Sequence, residues 1–365
     1  FLDASLQQQG FTVSAPPQWR EQVRQQTGEV KPVCPTLGSL EGVLRPYQKD
    51  GVAWIRFLRD HGFGGVLADE MGLGKTLQVL AHLNSLTLES RAARALGRKI
   101  SPGPAVSSAR SSNVRNSGNE DPEGRRSDPA TLVVCPSSLT FNWAAEAARF
   151  TPELRVLVLN GPDRHALFDR IADSDLVITS YALIRRDIER HRALEYDTVI
   201  LDEAQHIKNR GTQNAQAVKA IRSRHRLVLT GTPLENSVLD LWSILDFLMP
   251  GYLGTAQDFR ERYEIPIVKE RDTASMGRLA RRVRPFLLRR LKRDVARDLP
   301  AKLEQVSFCE LTDEQATVYQ QLLAATRQEV LSAVGDQGLA RSRMLVLTAL
   351  LRLRQVCCDL RLLPG

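Results

Sequence analysis

Between residues 64 and 230 the chain alternates short, nearly all-apolar runs with longer stretches of helical period. The apolar runs are 65–68, 131–135, 156–159, 176–179, 198–201 and 226–229. They do not alternate apolar with polar, which is the pattern of strands covered on both faces. Helical patterns fill 138–150, 163–172, 181–191 and 212–222, with a further run from Thr76 to Ala81 and an opening helix over 44–58 entered at Pro46. This βα alternation predicts an α/β fold with a doubly wound parallel sheet, whose ligands sit at the carboxyl ends of the strands. After residue 236 the strand pattern stops. Helices are expected over 239–248, 255–263, 274–284, 312–333 and 338–357, with a short strand at 306–309.

Two stretches lie outside this pattern. Residues 1–40 are punctuated by Pro16, Pro17, Pro32 and Pro35 and read as an extension. Residues 98–129 are rich in Ser, Arg, Asn, Gly and Pro and poor in large apolar side chains, so they read as a disordered insertion. The expected organisation is an extension over 1–40, an α/β lobe over 41–238 and helical segments over 239–300 and 301–365. The chain begins at Phe1 rather than Met, which reads as a piece of a longer protein.

Charge changes the picture more than composition does. The formal net charge is +8, and 42% of residues are hydrophobic, ample for a core. Residues 91–126 hold eight Arg/Lys against three Asp/Glu, and residues 278–297 hold nine against one Asp. The rest of the chain is therefore acidic, at −5. Localised positive charge suits a polyanion such as DNA or RNA, although a solvated loop and helix face would look the same. No run of about 18 apolar residues exists, so no membrane span is expected. The five cysteines are scattered and form no CxxC pair, as expected of reduced cytosolic thiols rather than a zinc site.

Three segments at the ends of apolar runs carry chemistry. The first is Asp69-Glu70-Met71-Gly72-Leu73-Gly74-Lys75-Thr76. Gly72 and Gly74 allow close backbone approach to a polyphosphate at the start of a helix. Lys75 can reach the β- and γ-phosphates of a bound polyphosphate, and the Thr76 hydroxyl can ligate Mg²⁺. Asp69 stands where the common pattern has Gly, so the turn is a variant; a plain strand–helix connection is the simpler alternative. The second is Asp202-Glu203, after the run Val199-Ile200-Leu201. Phosphoryl transfer to water needs a metal and a group that orients the nucleophile, and Asp202 and Glu203 could supply these. Two acids there could also only cap a helix. The third is Thr230-Gly231-Thr232, whose hydroxyls could sense the γ-phosphate, or which could be an ordinary turn.

The ordered set of motifs LRPYQKDGVAWI (44–55), DEMGLGKT, VVCPSSLTFNWAAEAARF (133–150), ITSYALI (178–184), DEAQHIKN (202–209), LTGTPLENS (229–237) and LWSILDFLMPGYLG (241–254) closely resembles the SWI/SNF-type ATPases, double-stranded DNA translocases of helicase superfamily two. PFLLRRLKRDVARDLPAK (285–302) and LRLRQVCCD (351–359) extend the match. The resemblance implies a RecA-like lobe of the P-loop NTPase kind, with a helical protrusion and a basic brace after it. It implies that Gln48 reads the adenine edge, that residues 69–76 bind ATP and Mg²⁺, and that Asp202 and Glu203 carry metal and catalytic water. Thr230, Gly231 and Thr232 match the coupling motif. Ser138, Asn142, Thr179 and Tyr181 fall in segments that run beside the DNA backbone in relatives. Arg289, Arg290, Lys292 and Arg293 fall in the brace, where they are expected to face solvent, DNA or a lobe interface.

Against the family pattern, Asp69 is part of the expected DEMGLGKT form. Leu360 stands where relatives often carry Pro after Cys-Cys-Asp. The second RecA-like lobe, with its arginine finger, is not contained in these residues. Such an arginine is worth about 10³–10⁵ in rate, so this chain alone is expected to bind ATP and hydrolyse it weakly. Expected partners are duplex DNA, ATP and DNA-bound proteins or RNA polymerase, in a bacterial cytoplasm beside the nucleoid or in a nucleus. The rival readings are a non-catalytic ATP-gated nucleic-acid clamp and an RNA helicase of the same superfamily.

Overall fold

Seven parallel strands in the order β3-β4-β2-β5-β6-β1-β7 form the sheet. The computed structural model describes residues 32–96, 129–231, 238–295 and 305–363. The strands are β1 (Gly65–Leu67), β2 (Thr131–Cys135), β3 (Val156–Val158), β4 (Leu176–Ser180), β5 (Glu195–Asp202), β6 (Arg222–Leu229) and β7 (Leu287–Leu288). The strand pattern was all apolar because both faces are covered. Leu132, Val134, Val199, Leu201 and Val228 join one core, while Val133, Cys135, Ile200, Leu227 and Leu229 join the other. Successive side chains of a strand point to opposite faces, so each run feeds both cores at once.

Helices α1 (Pro46–Asp60), α2 (Lys75–Ala95), α3 (Thr140–Phe150), α4 (Tyr181–Arg186), α5 (Ile188–Ala193), α6 (Gln213–Lys219) and α7 (Val238–Leu248) connect and cover the strands. Several expectations need correction. The stretch expected to be helical over 163–172 is a chain of 3₁₀ turns, Pro162–Asp173. The helix expected over 181–191 is split at Asp187, which caps the end of the first segment and the start of the second; its carboxylate accepts from Arg164 Nε at 2.6 Å. Residues 255–263 are a short helix, α8 (Ala256–Phe259), followed by a π turn, Arg260–Glu264. Residues 306–309 form no strand. β7 was not foreseen, because two residues give no period to read. It pairs with β1 through Val66↔Leu287 and Leu67↔Leu288.

The end of the expected extension belongs to the lobe. Leu37 and Leu40 are buried with Leu44, Val52 and Ala81. The insertion over 98–129 lies outside the described residues except for Pro129, as do residues 1–31 of the extension. After β6, helices α9 (Ile265–Lys269) and α10 (Thr273–Val283) lead to β7, and a short helix, α11 (Lys292–Val295), follows it.

The chain divides into two compact units, Phe1–Asp298 and Leu299–Gly365. In the second unit, α12 (Asp313–Gln337) and α13 (Leu339–Cys358) turn back on each other at Gly338, whose φ of +77° suits glycine. Thr312 and Gln315 form a capping box at the first helix, and Gln315 Nε2 donates to the Val356 carbonyl at 3.1 Å. No helix among the described residues is long and apolar enough to cross a membrane.

Close helix packing gives one stability prediction. A Cβ at Gly51 of α1 would stand 1.9 Å from Gln78 Oε1 of α2. Gly51→Ala is expected to cost about 1–3 kcal/mol through overpacking, read as a lowered midpoint in urea. An unchanged midpoint would mean that Gln78 swings away freely.

Candidate nucleotide-binding site

The loop after β1 is shaped by its own glycines and by three outside anchors. Gly72 and Gly74 have φ of +85° and +74°, a region that side chains rarely adopt. Leu73 is buried, and its carbonyl accepts from Tyr47 Oη and Gln48 Nε2, both at 3.2 Å. A Cβ at Gly74 would lie 2.5 Å from Gln48 Nε2, so the second glycine is required by packing as well. Lys75 opens α2, with Thr76 beside it in the first turn. Lys75 Nζ donates to the Asp69 carbonyl at 2.9 Å. Burial lowers the Lys75 pKa, against the pull of Asp202, Asp69 and Glu203.

Asp69 does not line the nucleotide side of the loop. Its side chain is fully buried, and its carboxylate accepts from Arg290 Nε at 2.9 Å and Gln78 Nε2 at 3.1 Å. A carboxylate aimed at a polyphosphate would repel it; here it is turned inward and neutralised. Arg290 is correspondingly removed from the expected solvent-, DNA- or interface-facing set. Gln48 is also buried, its Oε1 accepting from the Arg45 N–H at 2.9 Å. With both ends of its amide engaged, any contact with an adenine edge must share or replace these bonds. Met71 is exposed and Glu70 half-buried, its carboxylate accepting from the Lys292 N–H at 2.6 Å.

Asp202 ends β5, next to β6 in the sheet, and β6 lies beside β1. It is buried, and Trp143 Nε1 of α3 donates to its Oδ2 at 2.9 Å. The Glu203 N–H donates to Oδ1 at 2.9 Å, and Tyr181 Oη donates to the Asp202 carbonyl at 2.8 Å. Desolvation raises the Asp202 pKa, although the Trp143 bond works the other way. Trp143 was not singled out in the sequence; nothing but the tertiary fold brings an indole from α3 to the end of β5. Glu203 is half-buried with a left-handed backbone, φ +54° and ψ +64°. Such a conformation costs a side-chain-bearing residue about 1–3 kcal/mol and is concentrated at functional sites.

The third segment follows β6. The Thr230 N–H donates to the Leu67 carbonyl at 3.1 Å, which ties it to the strand before the loop. A Cβ at Gly231 would lie 3.5 Å from Lys75 Nζ and 3.7 Å from Met71 Cβ. Thr232 lies outside the described residues. Of the four residues expected beside DNA, Ser138 and Asn142 are exposed. Thr179 and Tyr181 are buried, with Thr179 Oγ1 donating to the Leu159 carbonyl at 3.2 Å and Tyr181 stacked on His206 at 4.7 Å. Their side chains hold the strand end together and are not surface groups, whereas those of Ser138 and Asn142 are open to solvent.

The donor set fits Mg²⁺-ATP. No cluster of three or more His, Cys, Asp or Glu suited to a metal occurs among the described residues. Magnesium that shares its shell with phosphate oxygens and water needs only one or two protein ligands, and Thr76 in the first turn of α2 and Asp202 at the end of β5 are of the right chemistry.

A family model described as the SNF2-related domain matches residues 47–362. YwqA of Bacillus subtilis, whose name places it among ATP-dependent helicases and translocases, is 40% identical over 324 residues, covering 87% of this chain and 31% of YwqA. The TATA-binding protein-associated factor MOT1 of Saccharomyces cerevisiae is 36% identical over 87% of this chain and 16% of its own. The Sulfolobus solfataricus SWI2/SNF2 ATPase core in complex with dsDNA superposes with a TM-score of 0.58 at 34% identity, covering 90% of this chain and 60% of that one. The chain thus spans about a third or less of these two curated relatives. The seven-stranded parallel sheet is that of the SWI2/SNF2 ATPase core, and the family implies ATP, typically with Mg²⁺. The matched range runs from the helix before the loop to the last turns of the helical hairpin, and the protein belongs to the SNF2-related domain family.

Proposed function

We propose that this chain is the ATP-binding lobe of a DNA-dependent ATPase that moves along duplex DNA and remodels protein–DNA complexes. One observation carries the reading. Lys75 at the start of α2, Asp202 at the end of β5 with Glu203 just after it, and Gly231 just after β6 converge on the loop that follows β1. In this reading residues 41–238 are the nucleotide lobe, 239–300 the protrusion and brace, and 301–365 lead towards a second lobe. The enzyme works on DNA in the bacterial cytoplasm.

The chemistry divides among the residues as follows. The loop N–H groups and Lys75 hold the phosphates. Thr76 and Asp202 would hold Mg²⁺, which when bound would neutralise charge on the transferring group. Trp143 and the Glu203 N–H fix the Asp202 carboxylate in one orientation. Glu203 orients the attacking water and takes its proton. Gly231 and Thr230 report the state of Lys75 to whatever the following segment touches. Ser138, exposed in the turn before α3, and Asn142, exposed in its first turn, contact the DNA backbone.

Backbone contacts carry no sequence information and are weakened by salt. ATP turnover by the protein containing this lobe is therefore expected to be stimulated more by duplex DNA than by single strands or RNA, whatever the sequence, and the stimulation should fall from 50 to 200 mM salt. Stronger stimulation by RNA would replace the duplex reading with an RNA helicase. ATP binding without turnover under any nucleic acid would replace it with an ATP-gated clamp.

A further inference from the structure

The segment from β7 to α11 is built onto the phosphate loop from more than 200 residues away in the chain. The Ala68 N–H donates to the Leu288 carbonyl at 2.7 Å and the Glu70 N–H to the Arg290 carbonyl at 3.0 Å, so the pairing continues past the end of β1 into the loop. Arg290 then turns inward. Besides its two bonds to Asp69, it donates to Gln78 Oε1 at 2.7 Å and to the Tyr47 carbonyl, and its guanidinium lies over the Tyr47 ring at 5.2 Å. Tyr47 in turn holds the Leu73 carbonyl. One guanidinium therefore joins α1, the start of the loop, α2 and the segment after β7. Two residues on, the Lys292 N–H is fixed by the Glu70 carboxylate, and its ammonium lies 3.2 Å from where a Cβ of Gly72 would stand. Lys292 is close enough to Lys75 to disfavour its charge.

Resting on the proposed nucleotide reading, we propose that this segment forms a third wall of the phosphate site. Arg290 is a positioning residue for the loop, and Lys292 supplies a second ammonium to the bound polyphosphate. Three features support this. Asp69 replaces the glycine of the common loop, and a carboxylate there is tolerable only if a cation turns it inward. Two ammonium groups held beside one glycine turn repel each other, and a polyphosphate between them relieves that repulsion. Lys292 is exposed and makes no ion pair among the described residues, so its charge is available to a ligand in a way that the Arg290 charge is not. A further consequence is mechanical. The segment that closes the protrusion is hydrogen-bonded to the loop, so ATP binding at the loop and the position of this segment are linked.

The test is equilibrium binding of a fluorescent Mg²⁺-ATP analogue to the full chain, beside thermal melts without nucleotide. Lys292→Gln should weaken binding about tenfold, the scale of one partly screened charge, with an unchanged nucleotide-free melt. Lys292→Arg should restore most of it. Arg290→Gln should weaken binding at least as much when measured well below its own melting temperature, where the protein is folded. Lys75→Ala separates the two readings. If Lys75→Ala abolishes binding while Lys292→Gln and folded Arg290→Gln bind within twofold of the original protein, the third wall is wrong and the nucleotide site stands. If Lys75→Ala binds normally too, the nucleotide reading itself fails.

Discussion

Glu203→Gln is expected to lower DNA-stimulated ATP turnover by about 10²–10⁴-fold while leaving Mg²⁺-ATP binding nearly intact. The change keeps the side chain's shape and one acceptor but removes its ability to take a proton. Glu203 sits at the end of β5 with its N–H committed to Asp202 and its backbone in the left-handed region, so the fold, not the side chain, fixes where it points. Asp202, held by Trp143, remains to bind metal. The proper measurement is single-turnover hydrolysis in the longest form of the protein that shows DNA stimulation, with a parallel binding titration. Turnover within threefold of the original enzyme would require another base. Loss of binding together with turnover would mean that Glu203 holds the loop or the metal instead.

Acid should destabilise the folded lobe well before its carboxylates titrate. His225 and His191 are buried, and each has its pKa pushed down to about 4 from an ordinary 6.5. Desolvation is the main cause for both. Around His225, Arg59 and Arg224 add to it and Asp197 opposes it; around His191, Asp187 opposes it. His82, buried near Arg59 and Arg56, is shifted down as well. A base with a lowered folded pKa binds fewer protons folded than unfolded. The stabilisation is therefore complete above about pH 6.5 and is lost as pH falls towards 4. A shift of that size corresponds to about 3 kcal/mol for each of the two histidines, to order of magnitude. Asp202 works in the opposite direction, because desolvation raises its pKa and protonation relieves that cost. Urea unfolding at pH 7.5 and 5 should show the loss, and His225→Gln should flatten the dependence. Equal unfolding free energies at the two pH values would show that water reaches these rings.

The lobe around these groups was largely readable in the sequence where the signal was local. The six apolar runs were found because a strand covered on both faces needs no polar positions, and each lies within an observed strand or overruns it by one residue. Residues 163–172 were misjudged because helical period alone does not distinguish an α-helix from successive 3₁₀ turns. The phosphate loop, the acidic pair and the Thr-Gly segment were legible because each needs particular residue types next to one another in the chain. Thr179 and Tyr181 lie in a readable motif, yet their burial depends on how β4 and α4 pack, which spacing does not carry.

The parallel sheet, the glycine turn with Lys75 and Thr76, the Asp202-Glu203 pair and the family are all written in the chain itself. These follow from period, turn chemistry and contiguous motifs. The role of Asp69 emerges from the folded contacts alone. In the chain Asp69 stands 221 residues from Arg290, and either residue alone reads as a surface charge. A buried carboxylate is affordable only beside its cation, and whether the two meet depends on the path of the intervening chain around the sheet. The same holds for Trp143 on Asp202 and Lys292 over Gly72: contacts between distant residues are fixed by packing, and packing leaves no period to read.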